Sequence, residues 1–147
     1  RLLDPYAYYR LQAWTCFDMG AESSFFWAFG DTGGGNSWNE YLSKRVSYTP
    51  LFLGPDSVTA GKHMEAIRES VEDFEYLAML RDRVAELESR GGHRLLVRAK
   101  DLLATAPQRV LAADGATDLG WNAPKDRSIA DTVRTEIGEM LEKLQPD

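Results

Sequence analysis

The chain is short of the residues that staple a fold or grip a polyanion. It has one cysteine, Cys16, so no internal disulfide can form and the redox compartment cannot be read. Two histidines, His63 and His93, stand far apart in the chain, and neither has a second histidine at metal-ligand spacing. No apolar run reaches the ~18 residues that a membrane span needs. The 17 Lys+Arg against 23 Asp+Glu give a net charge of −6, which works against a sequence-independent hold on nucleic acid. Glycine and cysteine are too scarce for a collagen-like or disulfide-rich chain, and 11% aromatic residues are too many for a disordered one. Neither a signal peptide nor an initiating Met opens the chain, which starts at Arg1. The expectation is therefore a C-terminal piece of a longer protein. No repeat or low-complexity segment is present.

What remains is 147 residues, 44% of them hydrophobic, enough for one globular domain or part of one. The aromatic residues are unevenly spread. Residues 1–52 hold 13 of the 16, and the rest of the chain has only Phe74, Tyr76 and Trp121. The first region is built on rings and the second on Leu, Ala, Glu and Arg, which favour helix.

Asp4-Pro5 is a helix start, a capping carboxylate followed by proline at the first helical position. Tyr6, Tyr9 or Arg10, Ala13, Trp14 and Phe17 then mark one face, and Gly20 ends the helix. Residues 24–29, apolar on both faces, predict a strand buried on both sides. The stretch from Gly30 to Asp56, with its Gly33-Gly34-Gly35 run, predicts a long functional loop. Met64, Ile67, Val71, Phe74, Leu77, Leu80, Val84 and Leu87 recur every three or four residues, predicting one helix over about 58–89, ended by Gly91-Gly92. A third helix is expected over about 93–106, interrupted or kinked at Pro107 with Val110-Leu111 as an extension by a turn, and a last one from Asp126 or Ser128 to Leu144. The fold class expected is mainly α, with four to five helices and one or two short strands.

Several segments touch on chemistry. Gly54 to Lys62 superficially resembles a phosphate-binding loop, but its spacing is wrong and His63 stands where Ser or Thr is required. Cys16 reads as a buried structural thiol, since no nearby cation would stabilise its thiolate. The acids Glu65, Glu69, Glu72, Asp73 and Glu75 could be read as a glycosidase-type pair. They fit better as ion-pair partners of Arg68, Arg81 or further parts of the protein. The more promising site is the strand end and its loop: Trp27, Phe29, Asp31, Trp38, Asn39, Glu40 and Tyr41. A sugar ring stacks on an indole while neighbouring Asp, Asn or Glu accept from its hydroxyls. The same residues also suit a packed loop.

Two stretches carry a family resemblance. Phe26-Trp27-Ala28-Phe29 followed by Trp38-Asn39-Glu40-Tyr41 resembles the final strand and loop of glycoside-hydrolase-like barrels. Residues Glu65 to Leu77, EAIRESVEDFEYL, resemble an EA-x-R-E-G-x-E-D-x-E-Y-L helix of the same group, with Ser70 in place of the usual Gly. The group is the domain of unknown function numbered 4091, related to the glycoside hydrolase family 123 catalytic domain. The likeness covers roughly residues 5–90, and residues 91–147 resemble nothing comparable.

The resemblance implies the end of a (β/α)8 barrel over residues 1–90 and a helical C-terminal extension over 91–147. Residues 5–18, 24–29 and 58–89 would be its seventh helix, eighth strand and eighth helix. Active sites of such barrels lie at the C-terminal ends of the strands. Trp27, Asp31 and Trp38 are then implied as sugar contacts, not as acid or nucleophile. The catalytic acids would lie on earlier strands, so this chain alone would be inert and the whole protein a glycoside hydrolase, secreted or periplasmic. No cofactor or metal is implied, and the partner is a carbohydrate. The alternative is a non-catalytic helical interaction or carbohydrate-binding module.

Overall fold

The structure, a computed structural model, describes residues 3–27, 29, 49–114 and 126–145. Among these the fold is mainly helical with one small sheet. A π-helical turn, Tyr6–Arg10, runs into helix α1, Leu11–Met19. Strands β1, Leu51–Leu53, and β2, Val58–Ala60, form an antiparallel pair with Phe52 opposite Thr59. Helices α2, Lys62–Ser89, α3, Leu96–Asp114, and α4, Ser128–Lys143, complete it.

Local chemistry accounts for most of these ends. Asp4 Oδ1 accepts from the Tyr6 amide at 3.1 Å, the capping bond expected of an aspartate ahead of Pro5. Gly20 closes α1 in the left-handed region at φ 65°. At the end of α2, Gly91 and Gly92 take φ of 96° and 100°, and the Gly92 amide returns to the Leu87 carbonyl at 2.8 Å. Asp126 Oδ1 accepts from the Ser128 amide at the head of α4. Gly61 joins β2 to α2 where a Cβ would come within 2.8 Å of the Phe52 ring and 3.2 Å of the Pro50 carbonyl.

The core gathers Leu11 and Trp14 of α1, Leu77, Leu80, Val84 and Leu87 of α2, Ala99, Ala106 and Val110 of α3, and Val133, Ile137 and Met140 of α4. Residues after 91 therefore share one core with α1 and α2.

Four expectations need correction. Residues 24–27 and 29 form no strand; an apolar run of this kind needs sheet neighbours on both edges, and among the described residues the Phe29 carbonyl accepts from the Leu51 amide at 3.1 Å without a ladder forming. The helix expected from residue 58 begins at Lys62, since Val58–Ala60 pairs with β1 instead. The stretch ending at Asp56 is not all loop, for it contains β1. Pro107 lies inside α3 without ending it. Proline removes one helical donor, but Ala106 and Val110 are fully buried beside it, so packing holds the helix through the gap.

Candidate functional site

The acidic run of α2 is the first place to look for chemistry, and its geometry is that of a clamp. The π turn adds a residue to the first helical repeat, so Tyr6, Tyr9 and Arg10 are all buried. Arg10 thereby faces α2. Asp73, with no exposed surface, accepts from Arg10 Nε at 2.9 Å and from the Trp14 indole N–H at 2.9 Å. Its other oxygen takes Arg10 Nη2 at 3.3 Å and lies 3.3 Å from Arg134 Nη1 on α4. Arg10 also reaches Asp131 at 2.7 Å, and Arg134 reaches Glu69 at 2.6 Å. On the outer side Arg68 pairs with Glu65, Glu69 and Glu72.

Burial pushes the Asp73 carboxyl up from its ordinary range, against the pull of Arg10, Trp14 and Arg134. For Glu69, burial also pushes upward, but Arg134, Arg10 and Arg68 outweigh it and hold the carboxyl low. Burial pulls the Arg10 guanidinium down, and Asp73 and Asp131 more than offset it. Both Asp73 oxygens are occupied by donors from two other helices, which leaves it no face for a substrate proton. The pairing expected with Arg68 is present, whereas Arg81 pairs with Asp82. Arg10 and Arg134, the principal partners, carry no signal in the sequence beyond the place of Arg10 four residues before Trp14.

The second place is the segment after α1. Phe25 is 91% exposed, Trp27 71% and Phe29 54%. Phe26 is turned inward, edge-on to Tyr9 at 5.1 Å and to Phe29 at 5.1 Å. Ser24 Oγ ties the segment to Gln12 at 2.8 Å. Beside it a groove of about 250 Å³ runs between α1 and α2, with Ala13, Cys16, Ser70, Val71 and Phe74 in its lining. Ser70, the position where the resembled motif has Gly, is thus part of the groove wall. Cys16 is partly buried, not sealed in the core, with its Sγ 4.0 Å from the Ser23 carbonyl. Of the implied sugar contacts, Trp27 is exposed, while Asp31 and Trp38 lie outside the described residues.

Among the described residues no group of three or more His, Cys, Asp or Glu is placed to hold a metal ion. His63 is buried with its ring 5.3 Å from that of Tyr9. Gly54 to Lys62 forms the turn and second strand of the hairpin, with the Gly54 amide on the Ser57 carbonyl, so it is not a phosphate cradle. No helix among the described residues is long and apolar enough to cross a membrane. Comparisons with family models, with curated proteins and with solved structures found no match to this chain.

Proposed function

We propose that this chain is the C-terminal part of a glycoside hydrolase acting on carbohydrate, amino-sugar glycans included, and that it supplies a cleft wall and structural helices, not the catalytic acids. The observation that carries the reading is Trp27, whose indole is largely exposed on a segment with Phe25 and Phe29. A flat, solvent-facing indole offers the apolar face on which a sugar ring stacks. The engagement of Glu69, Glu72 and Asp73 with arginines supports the second half of the reading, because a carboxylate held in this way is a poor acid or nucleophile. Asp31 and Trp38 complete the proposed contacts. Titrating amino-sugar glycans against the full-length protein and its Trp27→Ala variant tests it. The reading expects affinity to fall several-fold in the variant, and unchanged affinity and turnover would remove the stacking role.

A second reading, a non-catalytic helical interaction or carbohydrate-binding module, is favoured by the exposed Met19, Phe25 and Val71. Sedimentation of the chain at several concentrations addresses it. Self-association would favour the module, and a concentration-independent monomer would remove the self-associating form of it.

A further inference from the structure

The chain is acidic overall, yet four of its 17 Lys and Arg residues meet at one corner of the bundle. Arg83, on the last part of α2, and Arg90, which caps it, stand two turns apart, so they share a face. The glycine pair at φ 96° and 100° then reverses the chain and brings His93 and Arg94 back over that face. The end of α4 adds Lys143. These five residues line one cavity of about 220 Å³, together with Leu87, Leu144 and Gln145.

Part of this charge has an ordinary structural use. Arg83 donates to the Leu144 carbonyl, and Glu86 engages both Arg83 at 2.6 Å and Arg90 at 2.7 Å. Lys143 lies 3.4 Å from Glu139. Cations near the C-terminal ends of helices are also favoured by the helix dipole. None of this accounts for Arg94. It lies beyond the glycine turn, is exposed, and has no acidic partner among the described residues. Counting Glu86 and Glu139 against Arg83, Arg90, Arg94 and Lys143 leaves two positive charges in excess. That excess borders a concave space, where charges of one sign reinforce each other's field.

We infer that this cavity binds a doubly charged oxyanion, a phosphate or sulfate group, with Arg94 as its principal ligand and Arg90 and Lys143 as supporting charges. The planar guanidinium of Arg94 matches two oxygens of such a group, which a carbonyl-rich helix end alone would repel. The site is separate from the proposed sugar wall and does not rest on it. The group could be free in solution or an ester on a larger molecule.

The test is titration of inorganic phosphate, and separately of a sulfated disaccharide, into the 147-residue chain with amide chemical shifts recorded. The expected result is saturable shifts around His93, Arg94 and Leu144 that weaken as salt rises. Tighter binding of the disaccharide assigns the site to an ester, and equal or tighter binding of phosphate assigns it to the free ion; either supports the site. Arg94→Glu should weaken binding at least tenfold. Arg98→Glu, which makes the same charge change on α3 outside this cavity, should leave it within about twofold. Absence of saturable shifts, or an equal loss in both variants, would overturn the inference.

Discussion

The two halves of α2 are held by different physics. From Leu77 onward its inner face is apolar, with Leu77, Leu80, Val84 and Leu87 buried against α3 and α4. Before that, the buried residues are His63, Ser70 and Asp73, while Val71 of the same apolar stripe is 57% exposed. A stripe with unbroken helical periodicity is thus fully buried along only half its length, Met64, Ile67 and Phe74 being half-buried. In the other half the helix turns a polar edge inward, toward Arg10, Trp14 and Arg134. The contrast teaches that hydrophobic spacing predicts a helix well but does not say which part of its stripe the chain itself covers. It also places the acids Glu65, Glu69, Glu72, Asp73 and Glu75 on the electrostatically held half.

The sharpest way to break this comparison is to empty each half in turn. Asp73→Ala leaves Arg10 buried without its bidentate partner, and about 3–5 kcal/mol of stability should be lost in urea unfolding. Replacing both, as Arg10→Met with Asp73→Leu, should recover part of that loss, because the buried charge goes with its partner while the Trp14 indole N–H still loses its acceptor. Leu80→Ala in the apolar half should cost about 2–5 kcal/mol by a cavity, with no such recovery from a second change. If Asp73→Ala were nearly neutral, the division of α2 would be wrong.

A smaller effect is expected at the entrance to the helix. Gly61→Ala puts a Cβ into the Phe52 ring and the Pro50 carbonyl, and overpacking of this kind costs about 1–3 kcal/mol. Unchanged thermal unfolding of that variant would show that the β hairpin does not fix the start of α2.

The smallest expected effect is the most diagnostic of the polar half. Glu69, held low in the folded chain by arginines, contributes stability that is present above its ordinary value of 4.5 and is lost as pH falls below it. Asp73, pushed up by burial, acts in the opposite sense, gaining relative stability as it protonates. Urea midpoints measured from neutral pH down to pH 3 should therefore fall more gently in Glu69→Gln than in the unaltered chain. They should fall more steeply in Asp73→Asn. Parallel profiles would remove the pH part of the account.

Helix positions were largely legible, because period and punctuation agree at Gly20, at Gly91-Gly92 and at Asp126. The strand expected over 24–29 was not, since its apolar run resembles a doubly buried strand whatever neighbours exist, and among the described residues it has almost none. The hairpin was hidden because three-residue strands are too short to show a period of two. Asp73 was visible as one acid among five, but its partner Arg10 lies 63 residues away, and the π turn is what buries Arg10 together with Tyr9 where the spacing left a choice between them. Trp27 was legible as a candidate ring, and the structure places it exposed after α1.

The central claim is that Arg10 and Asp73 act as one structural unit and not as independent surface charges. A double-mutant cycle of Arg10→Ala and Asp73→Ala, read by urea unfolding, tests it most directly. The account predicts a coupling above about 1.5 kcal/mol, as for residues joined in one buried network. Single-variant losses that simply add, within about 0.5 kcal/mol, would contradict it.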